Sequence, residues 1–190
     1  MRVLVTGGAG FLGSHICEHF TNQKWEVIAF DNFTKHELKR TPYQADGCRD
    51  YISGLLDGWG VEVIKGDIVH DPDILNLAMK GCDLIVHTAA QPAITISWED
   101  PCLDFRTNVI GTFNVLEFAR LHKLPVVSCA TIHVYGNDRV NADLESDKFR
   151  YKRKISSISE LERIADGIMT PLHASKIAGD TYVRAYADSF

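Results

Sequence analysis

The 190-residue sequence lacks the motifs by which metal, membrane and nucleic-acid proteins are usually recognised. Its eight histidines and five cysteines form no H-E-x-x-H or C-x-x-C motif, so we expect no metal site. No apolar run approaches the roughly 18 residues needed to cross a bilayer, so we expect no membrane partner. The net charge of −5 argues against a binding surface for nucleic acid.

Length and composition predict a single globular domain over residues 1–190, because 45% hydrophobic residues in a chain of this size can bury a substantial core. The chain is already strand-like at Arg2, so we expect no signal peptide. The cysteines are scattered, and Cys82 and Cys129 fall at or inside predicted strands. We therefore expect reduced, mostly buried thiols and a cytoplasmic protein.

What the sequence does have is a buried strand that runs into a glycine-rich turn. Arg2–Thr6 is apolar, and Gly7, Gly10 and Gly13 follow it at the G-x-x-G-x-x-G spacing. The first glycine permits a tight turn, the second lets a pyrophosphate approach the backbone, and the third lets helix and strand pack closely. The helix that begins here directs its free N–H groups and positive dipole end at the phosphates.

A second strand, Glu26–Phe30, ends in Asp31, which lies 18 residues after Gly13. A dinucleotide-binding fold places the carboxylate that hydrogen-bonds the adenosine ribose at about this distance. The two features together predict a dinucleotide-binding site.

Apolar runs without alternation recur along the chain, as expected for parallel strands that are covered on both faces. The five runs are Arg2–Thr6, Glu26–Phe30, Val61–Lys65, Leu84–Thr88 and Val126–Ala130. Predicted helices lie between or after them, at about Tyr43–Leu56, Asp71–Met79, Pro101–His122 and Thr170–Ser189. Alternating strands and helices predict a doubly wound, Rossmann-type α/β fold with five parallel strands and helices on both faces.

Further short motifs follow in an order that resembles the extended short-chain dehydrogenase/reductase family, the NAD-dependent nucleotide-sugar epimerases and dehydratases. The matching segments are Thr6–Ser14, Asp31-Asn32, Gly66–Ile68, His87–Gln91, Asn108–Thr112 and Val134–Gly136. The resemblance covers nearly the whole chain. Residues Thr95 to Phe105 look most like the branch of CDP-paratose/CDP-tyvelose 2-epimerases.

The resemblance implies an NAD cofactor and a nucleotide-diphosphate sugar substrate, with a hydride taken from the sugar and later returned to it. NAD is favoured over NADP because Asp31 would repel a 2′-phosphate. The implied cofactor-binding residues are Gly7, Gly10, Phe11, Leu12, Gly13, Asp31, Asn32, Phe33, Thr34, Lys35, Asp67, Ile68, Thr88, Ala89, Ala90, Gln91, Asn108 and Lys176. Thr131 is the implied catalytic hydroxyl, and Lys176 anchors the nicotinamide ribose.

The chain departs from the family at the proton-transfer pair Y-x-x-x-K, in which the lysine also lowers the pKa of the tyrosine. Lys176 is in register, but Leu172 occupies the tyrosine position and can neither donate nor accept a proton. His173, Tyr135 or a group of the substrate remain as candidate bases. The competing hypothesis is a catalytically silent dinucleotide-binding module that acts as a sensor or structural subunit.

Members of the family continue for a hundred or more residues beyond the last predicted helix, so the chain resembles their cofactor-binding half, without the C-terminal substrate-binding part. The 101–122 helix carries more apolar residues than one contact with the sheet requires. We expect this helix and the 171–189 helix to pair with the same helices of a second copy, which makes a homodimer. The alternative is that the surplus apolar surface packs against a C-terminal segment within one chain. The basic run at 150–154 is either a solvated loop or a lid whose cations meet substrate phosphates.

Overall fold

A computed structural model describes residues 1–35, 45–154, 159, 164–165 and 167–190. In the first half, the strands and helices alternate: β1 (Arg2–Thr6), α1 (Phe11–Asn22), β2 (Glu26–Asp31), α2 (Ala45–Gly58), β3 (Glu62–Lys65), α3 (Pro72–Ala78) and β4 (Leu84–His87). In the second half, helices dominate: α4 (Ile94–Glu99), α5 (Pro101–Phe105), a π-helical turn (Arg106–Gly111), α6 (Thr112–His122), β5 (Val126–Ser128), a 3-10 turn (Ile132–Val134), α7 (Asn137–Ala142), β6 (Leu144–Ser146), β7 (Tyr151–Arg153) and α8 (Pro171–Ser189).

The first five strands form one parallel sheet in the order β3-β2-β1-β4-β5. The chain moves outward from β1 to β3 and then crosses back to β4, so a crevice opens where β1 and β4 end side by side. Thr6 pairs with Phe30 on one side and with His87 on the other, which aligns the carboxyl ends of three strands. The predicted Rossmann-type fold is confirmed.

Two apolar layers cover the faces of the sheet, which explains why the strands read as continuous apolar runs. One layer joins Leu4, Ile28, Phe30 and Ile85 to residues of α3 and α6. The other joins Val3, Val5, Val27 and Val86 to Cys17 of α1 and Leu56 of α2. Alternate residues of β1 therefore enter opposite layers. The four residues from Val3 to Thr6 are fully buried.

The predicted 101–122 helix contains a π-helical turn at Arg106–Gly111 between α5 and α6. This turn packs closely against two neighbours. A Cβ on Gly111 would lie 2.4 Å from a methyl carbon of Ile68, and a Cβ on Gly179 would lie 3.0 Å from the carbonyl oxygen of Asn108. Both glycines thus let the π-helical turn approach the end of β3 and helix α8.

Several local predictions need correction. The basic run is not a loop, because Tyr151–Arg153 pairs antiparallel with β6. Lys152, Arg153 and Lys154 form ion pairs with acidic residues 147, 143 and 145 at 2.5, 3.5 and 3.6 Å, so these cations are neutralised within the hairpin. Cys17 and Cys82 are buried, but Cys102 and Cys129 are exposed, so the expectation of mostly buried thiols is wrong for two of these four cysteines. Cys129 lies just beyond β5, which ends at Ser128.

Helix α2 confirms the helix expected near 43–56, although its predicted start at 43–44 lies outside the described residues. Within the described part of the chain, no helix is both long and apolar enough to cross a membrane.

Candidate cofactor and catalytic site

The glycine-rich turn holds the start of α1 against the end of β1. The Gly7 N–H donates to the Phe30 carbonyl oxygen at 2.8 Å, and Gly7 has a φ of +70°, which disfavours a side chain. A Cβ on Gly13 would lie 2.0 Å from the Gly7 carbonyl oxygen, closer than any real contact. Only glycine at position 13 lets the first turn of α1 come this close, and its N–H groups then face the crevice.

The carboxylate of Asp31 is fixed at the end of β2 by two backbone donors. The Ala9 N–H donates to Oδ2 at 3.0 Å and the Phe33 N–H donates to Oδ1 at 2.7 Å. Burial raises the pKa of Asp31, and these hydrogen bonds and the nearby charge of Lys35 oppose the rise. The carboxylate is thus aimed by the backbone, with Phe33 at a left-handed φ of 58° to complete the turn.

Asp67 follows β3 and lies two residues beyond Lys65, the residue that pairs with Asp31. Its Oδ2 accepts from the Asn32 side chain at 2.7 Å, and its Oδ1 accepts from the Val69 N–H at 2.8 Å. Partial burial alone would raise the pKa of Asp67, but these hydrogen bonds outweigh it and lower the pKa, so the group is a carboxylate at neutral pH. Asn32 therefore links the ends of β2 and β3.

A cavity of about 680 Å³ extends along the carboxyl ends of the strands. It is lined by all of the cofactor-binding residues predicted from the sequence except Asn108 and Lys176. Those two line a second, smaller cavity, together with Thr88, Ala89 and Ala90.

Sequence reasoning missed part of the lining of the larger cavity. Ala9 is not among the predicted cofactor-binding residues, although it lines the cavity and its N–H donates to Asp31. Leu103, Arg106 and Thr107 come from α5 and the π-helical turn. Because these three residues lie just before the Asn108–Thr112 motif, their position in the sequence could have indicated that they line the cavity.

His87 lies at the end of β4 in a buried chain of hydrogen bonds. Its Nδ1 is 2.7 Å from Thr6 Oγ1, and its Nε2 is 3.1 Å from Thr112 Oγ1, whose hydroxyl donates to the Asn108 carbonyl oxygen at 2.8 Å. The single hydroxyl hydrogen of Thr112 is already donated to Asn108, so Thr112 Oγ1 must accept a hydrogen bond from His87. The proton of the neutral histidine ring is therefore on Nε2. Burial, and then the charge of Lys176, lower the pKa of His87 to about 4, so the ring is neutral.

Lys176 projects from α8 towards the Asn108 side chain. Its Nζ donates to Asn108 Oδ1 at 3.3 Å. Burial lowers the pKa of Lys176 to about 8, and the negative charge of Asp104 partly opposes the shift. The lysine is therefore a cation at neutral pH, but one that is easily deprotonated.

The other candidate catalytic residues lie around the start of α8. Leu172 is 1% exposed and belongs to the core. His173 forms a capping box: its N–H donates to Thr170 Oγ1 at 3.4 Å, and its Nδ1 accepts from the Thr170 N–H at 3.0 Å. Thr131 is half-buried, just before the 3-10 turn that packs against α8.

These residues fit a dinucleotide. The glycine turn offers space that a side chain would fill, and the adjoining helix offers N–H donors. One carboxylate, Asp31, ends β2, and a second, Asp67, follows β3. For a metal ion the donors do not assemble. His15 and His19 are four residues apart on α1, but no group of three metal-binding side chains occurs among the described residues.

Comparison with known families decides the relationship. The model of the NAD dependent epimerase/dehydratase family matches residues 3–190. The chain belongs to this family. The resemblance inferred from the motifs is thereby confirmed, and so is the expectation of NAD as cofactor.

The chain spans about half the length of the relatives it matches. It is 32% identical to CDP-paratose 2-epimerase of Salmonella typhi, over all of this chain and 54% of that protein. The Thermus thermophilus UDP-glucose 4-epimerase, solved as a complex with NAD, is 29% identical with a TM-score of 0.70, over 100% and 52% of the two chains. A dTDP-glucose 4,6-dehydratase double mutant from Streptomyces venezuelae, solved with NAD bound, is 27% identical with a TM-score of 0.75. The match covers 100% of this chain and 52% of that chain.

The neutral, buried His87 makes stability depend on pH. Its folded pKa of about 4 lies below the unfolded value of about 6.5, so the unfolded state takes up the proton first as pH falls. Between pH 7 and pH 5, this residue should cost the folded state about 2 kcal/mol. Urea unfolding of the wild type should show this loss in excess of the loss shown by His87→Gln. Equal pH dependence in the two proteins would contradict the assignment.

Proposed function

We propose that this chain is the NAD-binding part of a nucleotide-sugar epimerase or dehydratase. The observation that carries the proposal is the pair of backbone N–H groups that aim Asp31 into the cavity beside the start of α1. A carboxylate held in this way is suited to two vicinal hydroxyls of a ribose and opposes a phosphate in their place. The relatives named for CDP-, UDP- and dTDP-sugars support the substrate class.

In this proposal each strand end contributes one contact with the cofactor. The N–H groups at Phe11–Gly13 hold the pyrophosphate, Asp31 holds the adenosine ribose, and Asp67 with Ile68 faces the adenine. Lys176 anchors the other ribose, and Thr131 hydrogen-bonds the reacting oxygen of the sugar. Bound NAD would supply a hydride acceptor and donor for a sugar carbon.

Proton transfer is the step for which position 172 offers no group, so Tyr135 or a group of the substrate would have to supply it. Leu172 has no titratable atom, and His173 uses its Nδ1 to cap α8. The buried Leu172 therefore favours the second candidate function, a dinucleotide-binding module without catalysis. The two candidates differ in whether the natural chain turns over a nucleotide sugar.

Cofactor choice tests the first part of the proposal. Calorimetry should give a Kd for NAD at least tenfold lower than for NADP, a difference of about 1.4 kcal/mol in binding free energy. Asp31→Ser should narrow this ratio, because it removes the charge that repels a 2′-phosphate. Comparable affinities in the wild type would contradict the proposal, and Lys35→Met would then test whether Lys35 neutralises that phosphate.

Position 172 tests the second part. The chain, and any longer protein that contains it, should be incubated with NAD and a panel of CDP-, UDP- and GDP-sugars, with product and absorbance at 340 nm followed over time. With a substrate accepted by the site, Leu172→Tyr should turn over roughly 100-fold faster than Leu172→Phe, because only the phenol can transfer a proton. The phenylalanine variant controls for added bulk at this buried position.

The wild type distinguishes the two candidate functions in the same assay. Turnover by the natural chain favours an enzyme with another base. Turnover by Leu172→Tyr alone favours the silent module. Failure of every protein with every sugar, with NAD bound, would reject the epimerase or dehydratase proposal.

We also propose that the chain forms a homodimer through the 101–122 and 171–189 helices. Exposed apolar side chains lie along this surface, among them Phe105, Ile110, Phe113, Leu121 and Tyr182. Phe113 packs edge-on against Tyr182 and Tyr186 with ring centroids 5.8 and 6.3 Å apart, which forms an aromatic patch across α6 and α8. Aromatic side chains of this kind are common anchors in interfaces.

Light scattering at tens of micromolar should report twice the 21.2 kDa mass of the chain. Phe113→Asp should halve this mass without unfolding the protein, because it places a charge inside the aromatic patch. Phe149→Asp, at an 87% exposed phenylalanine of the β6–β7 hairpin, is the matched control and should remain dimeric. A monomeric wild type would contradict the proposal.

A further inference from the structure

A buried carboxylate, Asp104, lies beneath the candidate site and is not part of either cavity lining. The residue is 1% exposed. Its Oδ1 accepts from Gln91 Nε2 at 2.9 Å and from Asn108 Nδ2 at 3.1 Å. Its Oδ2 is buried and accepts no hydrogen bond from any residue that the structure describes. A buried carboxylate oxygen without a hydrogen-bond donor lowers the stability of the folded state, so its presence calls for an explanation.

The first neighbour that depends on Asp104 is the amide of Asn108. A side-chain amide can be turned end for end, and only its partners decide which end faces which group. Asp104 is an acceptor and therefore favours the Nδ2 end of Asn108, as do the Gln91 carbonyl oxygen and Ser175 Oγ, each at 3.0 Å. The Oδ1 end is then left for the donors on the other side, the Gln91 N–H at 2.9 Å and Lys176 Nζ at 3.3 Å.

The second neighbour is the ammonium group of Lys176, whose other surroundings give it little electrostatic support. His87, from β4, is neutral. Cys129, which follows β5, is a thiol because partial loss of solvent around its sulfur raises its pKa. Asp180, one turn further along α8, lies 3.1 Å from Arg184, so its charge is shared with another cation. Asp104 from α5 opposes the loss of the lysine proton through its negative charge.

We propose that Asp104 is the positioning residue of Lys176: together with the Gln91 backbone it orients the Asn108 amide towards the lysine, and its charge keeps the lysine protonated at neutral pH. The inference rests on the proposed function only in that Lys176 is taken to bind the cofactor. A neutral lysine would lose the charge with which it holds a ribose hydroxyl oxygen, since hydrogen bonds from charged donors are the stronger ones. The motif Asn108–Thr112 identified Asn108 alone, and Asp104 lies one helical turn before it.

The charge of Asp104 can be removed without changing its shape. In Asp104→Asn, the amide oxygen can still accept from Gln91 and Asn108, so a purely structural role would be preserved. The titration of the Lys176 ammonium should be followed by ¹⁵N NMR of the lysine side chains, with Lys176→Gln to assign its signal. The wild-type midpoint is expected near pH 8, and Asp104→Asn should move it to lower pH by at least one unit.

Asp73→Asn, on the exposed face of α3, makes the same change in net charge and should leave the midpoint unchanged. If Asp104→Asn does not fold, Asp104→Ser keeps an acceptor oxygen in a smaller side chain and should give the same shift. An unchanged midpoint in either variant overturns the proposal. If neither variant folds, the wild-type titration of Lys176 decides. A midpoint below pH 7 would overturn the proposal, because the lysine would then be neutral at pH 7 with Asp104 in place. A midpoint near pH 8 would support the proposal.

The affinity for NAD gives an independent readout by calorimetry from pH 6 to pH 9. Wild-type affinity should fall as pH rises through the Lys176 midpoint, and in Asp104→Asn the fall should come at lower pH. Lys176→Gln should show no such fall. If the wild type binds no NAD, the proposed function fails while the NMR titration still decides the coupling between Asp104 and Lys176.

Discussion

The close approach of α1 to the turn after β1 is the constraint on which the candidate site depends. With no side chain at position 13, the first turn of the helix lies against the Gly7 carbonyl oxygen, and the Ala9 N–H reaches the carboxylate of Asp31 on the neighbouring strand. A larger residue at position 13 would displace the helix start, and with it both the free N–H groups and the orientation of Asp31. The parallel register then sets the remaining groups, since Thr6 is level with Phe30 and with His87.

Buried polar groups continue this arrangement from the sheet into the helices. Thr6, His87 and Thr112 form one chain of hydrogen bonds that ends on the carbonyl oxygen of Asn108. The side chain of the same Asn108 contacts Gln91, Asp104, Ser175 and Lys176. The π-helical turn is what places Asn108 at this junction. Because each buried group needs a partner, a change at any one of them alters the environment of Lys176.

The sequence predicted best the features that depend on local pattern. Strands buried on both faces must be apolar at every position, so the five strands could be found with small errors at their ends. The glycine spacing and Asp31 were equally visible, because backbone approach and strand-end position depend on residues close in the chain. The β6–β7 hairpin was missed because a run of cations such as Lys152-Arg153-Lys154 is typical of solvated loops, and its pairing with acidic residues 143, 145 and 147 depends on the hairpin register.

The features that could not be predicted depend on contacts between distant segments. Asp104 has the pattern of an ordinary acidic residue in the first turn of a helix, whereas the packing of α5 against α4, α8 and the π-helical turn buries it. His173 reads as a candidate base beside the missing tyrosine, whereas in the structure its ring caps α8.

The surroundings of Lys176 suggest why the chain combines a lysine at position 176 with a leucine at position 172. In the family, the lysine has two implied tasks, to lower the pKa of the tyrosine and to anchor a ribose. Without a phenol at position 172, the first task has no target at that position, yet the lysine remains buried, bonded to Asn108 and stabilised as a cation by the charge of Asp104. Burying an ammonium costs stability, and a buried methionine or leucine would not carry that cost. In the proposed function, the buried charge and its partners serve a bound ligand that needs a cation at this place, which is the ribose-anchoring role and not the activation of an acid.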